Sequence, residues 1–396
     1  MKKSGLFMLL VVLLSLGLIA TGCSTTTSSK ENVIQIATQS PLSGDLAAMG
    51  DSIKMGAQLA INDEKETFKK LGFDIELFPQ DDQGDAKQGV ANTELLVSNP
   101  NVLAVVGHLN SGVMAPSGPK YEQGGLPVVS PANTAVDLTE QGWKTYHRIC
   151  ARDDVQGPAG AEYASKSLNV KTVFIAHDKT KYGQGLAEAF KKAAEKLGMQ
   201  VVSFEGIDQK EKEFNPLATS IAAKKPDAVY FGAMYNQSGL LIKKLGEKKY
   251  NGFILSGDGS DHKDLLQIAG KNNLKKTFIT SVAGDATRTE KGKAFAKKYK
   301  DTFKLEPSTF SSYGYDACLV VLNALEKSIK DNGGKKPTRE QLNKAISETK
   351  DFEGVFTKVT FDEKGDNKTS DVFIYSFAEG TYPAKYIKTI SAANFK

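Results

Sequence analysis

The chain has 396 residues, 40% hydrophobic, 24% charged and 9% aromatic, which suits two or three domains of roughly 150 residues each and excludes wholesale disorder. Fifty-one Lys and Arg against 46 Asp and Glu leave a net charge of +5, with no long basic block, so nothing points to nucleic-acid binding. Three Cys rule out a disulfide scaffold, and four scattered His argue against a His-rich metal site.

Lys2 and Lys3 precede an apolar stretch from Leu6 to Ala20. At 15 residues it is shorter than the roughly 20 needed to span a bilayer as a helix. It reads as a secretory signal. Ala20-Thr21-Gly22-Cys23 resembles the bacterial lipoprotein signal, in which the chain is cut before the Cys and its thiol is lipidated. An ordinary signal peptide with an incidental Cys is the plainer alternative. Ser24 to Ser29 is all Ser and Thr, a solvated tether. The expectation is a signal peptide at 1–22, lipidation at Cys23, a flexible tether at 23–32 and a body held to the membrane by lipid alone. No later segment is apolar enough to cross a membrane.

From Val33 onward, short apolar runs alternate with amphipathic ones. Strands are expected at Val33–Ala37, Phe73–Phe78, Val102–Val106 and Pro127–Val129, with helices at Ser52–Lys70, Ala86–Ser98 and Val113–Gln123 between them. The chain extends around Tyr146–Cys150 and begins a second series. That series has helices at Pro158–Ser167, Gly185–Leu197, Pro216–Lys224 and Ser238–Gly246. Its strands are Val173–Ala176, Val201–Glu205, Ala228–Phe231 and Phe253–Ser256. The order implies α/β lobes with parallel sheets covered on both faces. The tail breaks the pattern, with helices at Lys291–Phe303, Ser311–Lys330 and Thr338–Ser347, then antiparallel strands at Phe356–Phe361, Val372–Phe377 and Tyr386–Thr389. These late elements return to complete the two lobes, and the crossings between lobes form a hinge.

The chemistry of turnover is missing. No glycine-rich phosphate loop, His-Glu-x-x-His or Gly-x-Ser-x-Gly occurs. Cys150 and Cys318 lie in apolar segments and read as buried packing thiols. Asp81-Asp82 follows a strand end without a third carboxylate at calcium-loop spacing. The reading is a binding protein, not an enzyme, with no cofactor and no metal.

Several motifs fall at expected strand ends. They are Ala37-Thr-Gln-Ser-Pro-Leu-Ser-Gly44, Val105-Val-Gly-His-Leu-Asn-Ser-Gly112, Pro127-Val-Val-Ser-Pro-Ala-Asn-Thr134, His177-Asp-Lys-Thr-Lys-Tyr-Gly-Gln-Gly185 and Ser256-Gly-Asp-Gly-Ser260. Together they resemble the periplasmic leucine/isoleucine/valine-binding proteins of ABC importers, from about Val33 to the C-terminus. The resemblance implies a type I periplasmic-binding fold, two Rossmann-like lobes joined by a three-crossing hinge. The first lobe is then 33–151 plus 282–354 and the second 152–281 plus 355–396. It also implies a monomer that takes a free aliphatic amino acid and hands it to the permease subunits of an ABC importer. A sensor of the same fold, binding amino acids or amides without transport, is the alternative.

By the same resemblance, Ser111, Ala132 and Thr134 hold the ligand's α-carboxylate and amine, Asp258 caps the amine from the second lobe, Tyr182 closes over the ligand and Phe310 stands near the cleft rim. Hydroxyls and helix N-terminal N–H groups suit a carboxylate, and Asp258 suits an ammonium. Each residue also has a plain structural use: Ser111 and Thr134 as helix caps, Asp258 as a turn residue, Tyr182 as packing. Met49 and Met234 stand where the family pattern has tyrosines. Either they line the side-chain pocket, or they are packing substitutions with Tyr235 taking over.

Overall fold

Runs rich in Val, Ile and Phe, each ending in a polar turn, form the strands, and the amphipathic stretches between them form the helices. The computed structural model describes residues 32–391. The expected signal peptide at 1–22, Cys23 and all but the last residue of the tether at 23–32 lie outside the described residues.

The first series runs β1 (Val33–Ser40), α1 (Ala47–Lys70), β2 (Asp74–Asp81), α2 (Ala86–Ser98), β3 (Val102–Gly107), α3 (Ser111–Gln123), β4 (Val128–Ser130) and β5 (Tyr146–Arg148). Its five strands are parallel, in the order β2-β1-β3-β4-β5. The second runs α4 (Asp153–Glu162), β6 (Thr172–His177), α5 (Lys181–Lys196), β7 (Gln200–Gly206), α6 (Asn215–Lys224), β8 (Ala228–Gly232), α7 (Tyr235–Glu247), β9 (Phe253–Ser256), α8 (Asp264–Ala269) and β10 (Thr277–Ser281). The tail adds α9 (Glu290–Phe303), α10 (Thr309–Asp331), α11 (Arg339–Ser347), β11 (Phe352–Glu353), β12 (Lys358–Val359), β13 (Asp371–Ser376) and β14 (Lys385–Ser391). The second sheet has the order β14-β13-β10-β9-β8-β6-β7, with β13 antiparallel to both of its neighbours. This is the two-lobed α/β fold expected. In each sheet the first strand of its series, β1 or β6, lies between its next two. That leaves a crevice at the carboxyl ends, where open α/β sheets bind ligands.

The tail returns to the first lobe through α10 packed on α1. The helices touch at glycines. A Cβ on Gly56 would stand 2.1 Å from Ser311 O, and one on Gly314 2.6 Å from Ile53 O. Any side chain at either position would force the helices apart. Cys150 and Cys318 are buried free thiols. Among the described residues, no helix is long and apolar enough to cross a membrane.

The structure departs from the sequence reading at several elements. Thr277–Ser281, to which that reading assigns nothing, is a central strand, β10, set between β9 and β13. Its two threonines and a serine mask the apolar pair Phe278 and Ile279. Of the strand expected at Phe356–Phe361, only Lys358–Val359 joins a ladder, with Phe361 in an isolated bridge to Asn367. Asp316 bends the chain there by accepting from the N–H groups of Val355, Phe356 and Thr357 at 2.9, 2.8 and 3.0 Å. Asp366 bridges to Arg148 of β5, and the chain next joins the second sheet at β13. Finally, α4 begins at Asp153, five residues before the expected Pro158, which brings Asp153 into the site.

Candidate functional site

The first-lobe half is built by two turns. After β3 the chain turns into α3, and Ser111 is the first residue of that helix, 1% exposed. After β4, Ser130 Oγ accepts from the N–H groups of Ala132 and Asn133 at 3.2 and 2.9 Å. Ser111 Oγ accepts from Ala135 N at 3.4 Å. From behind, Arg148 Nη1 donates to the carbonyls of Asn133 and Ala135 at 2.9 and 2.7 Å. The loop carrying Ala132 and Thr134 is thus held on both sides, while the Thr134 hydroxyl, fully buried, lies against the Asp153 carboxyl.

The second-lobe half centres on Tyr182 and Asp258. The Tyr182 hydroxyl donates to Asp258 Oδ1 and accepts from Gly259 N, both at 2.8 Å. Asp258 N donates to Gln156 Oε1 at 2.9 Å. The glycines of Ser256-Gly-Asp-Gly-Ser260 make room for the ring. A Cβ on Gly257 would stand 2.7 Å from Tyr182 Oη, and one on Gly259 2.8 Å from Met234 Sδ and 2.9 Å from Tyr182 Cε1. Met234, half-buried at the N-cap of α7, therefore shares a wall with Tyr182. Burial pushes the Asp258 carboxyl up to about 6, against hydrogen bonds from Gln156 and Tyr182 that pull it down.

Sequence reasoning missed Asp153. It opens α4 just after the first crossing, is fully buried, and donates from its backbone N–H to Thr134 O at 2.9 Å. Burial, and then the charge of Asp258, push its carboxyl well above the usual range. Neither of its oxygens has a well-formed hydrogen bond, and Tyr230 Oη is also without one, while the Thr134 hydroxyl and the Gln156 side-chain amide approach the carboxyls of Asp153 and Asp258. The signal was present in Arg152-Asp153-Asp154, but a charged run before a helix normally reads as a solvated cap. A buried carboxylate short of partners beside a second buried carboxylate calls for a cation rich in hydrogen-bond donors.

The lobes meet across this cluster. Tyr235 Oη donates to Asp45 O at 2.9 Å, and Lys181 Nζ pairs with Asp137 Oδ2 at 2.5 Å. Phe310, nearly fully buried, follows Thr309, whose hydroxyl donates to Asp261 Oδ2 of the second lobe at 2.9 Å. Met49 is wholly buried in the first turn of α1, within the apolar core. The structure thus joins Ser111, Ala132 and Thr134 in one half and Tyr182, Asp258 and Met234 in the other, with Asp153 linking the halves. It sets Phe310 at the lobe boundary.

The model of the family described as periplasmic binding protein matches residues 33–381. Leu/Ile/Val-binding protein homolog 1 of Brucella abortus is 32% identical over 343 residues, covering 86% of this chain and 89% of that protein. Leu/Ile/Val-binding protein BraC3 of Rhizobium johnstonii is 33% identical over 347 residues, covering 88% and 92%. Among solved structures, the leucine-binding protein LivK of Thermotoga maritima superposes with a TM-score of 0.83 at 27% identity, covering 91% of this chain and 99% of that one. The branched-chain amino acid transporter substrate-binding protein LivJ of Streptococcus pneumoniae, in complex with isoleucine, superposes with a TM-score of 0.80 at 27% identity, covering 90% and 99%.

Proposed function

The chain belongs to the periplasmic binding protein family, a family of solute-binding proteins and not of enzymes, and on that premise we propose that it captures an aliphatic, branched-chain amino acid between its lobes outside the cytoplasm. The observation that carries this reading is the buried Asp153 carboxyl, short of well-formed hydrogen bonds, beside Thr134, Tyr230 and the buried Asp258. An α-ammonium placed there satisfies both carboxylates and the Thr134 hydroxyl with charge-assisted hydrogen bonds. The α-carboxylate then faces Ser111 and the N-terminal N–H groups of α3, with the backbone of Ala132 beside it. Tyr182 covers the head group, and Met234, with Phe310 at the lobe boundary, supplies apolar surface for the side chain. The names of the relatives, Leu/Ile/Val-binding proteins and a substrate-binding protein holding isoleucine, agree with an aliphatic side chain.

Delivery to an ABC permease and attachment through a lipid on Cys23 complete the proposal. The Ser/Thr run at 24–29 behind Cys23 would give a body anchored there reach. A thermal-shift screen of the twenty amino acids tests the binding reading. A ligand at 100 times its dissociation constant adds about 2.7 kcal/mol to stability. Leu, Ile and Val are expected to raise the melting temperature most. Metabolic labelling with a fatty acid tests the anchor: the wild type takes up label and Cys23→Ser does not.

A further inference from the structure

Asp82 and His108 meet beside the turn that leads into Ser111. Asp82 follows β2 and His108 follows β3, and both are wholly buried. His108 Nδ1 faces Asp82 Oδ2 at 3.5 Å, and among the described residues neither atom has another hydrogen-bond partner. The other carboxylate oxygen, Oδ1, accepts from Gly84 N at 2.9 Å. On its opposite side the His108 ring reaches α3, with Nε2 at 3.1 Å from Tyr121 Oη.

The hydrogen bonds fix where the protons are. Gln39 Nε2 donates to Gly89 O at 2.8 Å, which turns Gln39 Oε1, an acceptor only, toward Tyr121. Tyr121 Oη gives its one proton to Gln39 Oε1 at 2.8 Å. Its contact with His108 therefore has Nε2–H as the donor. A neutral ring with its proton on Nε2 points the lone pair of Nδ1 at a carboxylate oxygen, which buries two acceptors face to face. One further proton removes the conflict. Imidazole is a stronger base than carboxylate, so that proton sits on Nδ1, and the pair is an imidazolium against a carboxylate.

The backbone around His108 is tied to the other turn of the half-site. His108 N donates to Asn133 Oδ1 at 3.3 Å, and Asn133 Nδ2 donates to Leu109 O at 3.1 Å. The turn into Ser111 and the loop bearing Ala132 and Thr134 are thereby coupled. We propose that Asp82 and His108 are positioning residues: the proton held between them locks the His108 ring, and with it Ser111 and the start of α3, where the ligand's α-carboxylate is received. The proposal rests on the cleft reading above. A buried ion pair adds little net stability over a neutral pair, so the role of this one lies in geometry.

Asp82→Asn separates the proton from the charge. Its Oδ1 keeps the bond from Gly84 N, and its Nδ2 donates to Nδ1 of a neutral ring, so the geometry survives. In calorimetric titrations with L-leucine at pH 7, Asp82→Asn should bind within about twofold of wild type. Asp82→Ala should bind about tenfold more weakly, as should Tyr121→Phe, which removes the acceptor of Nε2–H. NMR of isotope-labelled histidine should show both ring nitrogens of His108 protonated in the wild type at pH 7, and only Nε2 in Asp82→Asn. A bare Nδ1 in the wild type, an Asp82→Asn weakened about tenfold, or wild-type affinity in both Asp82→Ala and Tyr121→Phe overturns the proposal. Tyr121→Phe decides the affinity arm if Asp82→Ala does not fold. Failure of L-leucine to bind the wild type overturns the cleft reading and the positioning role with it. Normal binding of L-leucine with any of the three contrary results overturns the positioning role alone.

Discussion

Arg148, wholly buried, donates from Nε to Asp366 Oδ1 at 2.5 Å across 218 residues of sequence. The pair lies beside the first crossing, and the same guanidinium grips the loop that carries Ala132 and Thr134. Burial works to raise the Asp366 carboxyl, but Arg148 and Arg152 outweigh it and hold the group below its ordinary range. Asp366→Ala strands a buried guanidinium and is expected to cost about 3–5 kcal/mol of stability, read from urea unfolding. A carboxyl lowered on folding contributes stability above its unfolded value near ~3.9, lost as pH falls through the folded value. The variant should therefore lose part of the acid limb of the wild-type curve. Unchanged unfolding at neutral pH would contradict this role.

Asp258 has the opposite sign. With its carboxyl raised to about 6 in the ligand-free fold, the folded state binds the proton more tightly than the unfolded chain. This group's contribution to stability therefore falls as pH rises from about 4 to about 6. Asp258→Asn should make the ligand-free protein more stable at pH 7 and weaken amino-acid binding by about 2–5 kcal/mol. In the wild type, affinity should drop below about pH 6, because the carboxylate must be free of its proton to hold an ammonium. Calorimetry from pH 5 to pH 8 reads both effects, and a flat affinity profile would count against Asp258 as the ammonium's partner.

Tyr235 and Lys181 each reach the other lobe, to Asp45 O and to Asp137. Two lobes that share a ligand open to admit it and close to hold it. Ligand is expected to shrink the radius of gyration in solution scattering. Tyr235→Phe, which keeps the ring stacked on His262 but removes the cross-lobe bond, should weaken binding by about 0.5–1.5 kcal/mol, mainly through faster release. Stopped-flow release rates equal to wild type would show that the bond has no part in closure.

Met234 stands 2.8 Å from the site where a Cβ on Gly259 would sit, beside Tyr182. A thioether wall is apolar and adaptable. Leu, Ile and Val are therefore expected within a narrow affinity range, since a methylene is worth only about 1–3 kcal/mol even in a well-formed pocket. Asp, Glu, Lys and Arg should bind poorly for want of partners. Met234→Ala should weaken Leu more than Val. Equal losses for both ligands in competition calorimetry would place Met234 outside the side-chain pocket.

Much of this was legible in the sequence because parallel strands buried on both faces leave dense apolar runs, and the turns after them carry the polar residues of the cleft. Ser111, Thr134, Tyr182 and Asp258 lie in such strand-end motifs, and their proposed roles came from the family resemblance. Asp153 did not, since its meaning comes from burial against Thr134 and Asp258, and a linear pattern carries no burial. β10 was hidden by its threonines, whose place between β9 and β13 is set by neighbours distant in sequence. The grip of Arg148 on Asp366 joins residues that no local window brings together.

The most direct test of an ammonium held by buried carboxylates is a pair of calorimetric titrations at pH 7, one with L-leucine and one with 4-methylpentanoate, which keeps the side chain and carboxylate but lacks the ammonium. L-leucine should bind one to one with a saturable heat, and 4-methylpentanoate should give none. Equal binding of the two compounds, or no binding of L-leucine, would contradict the account.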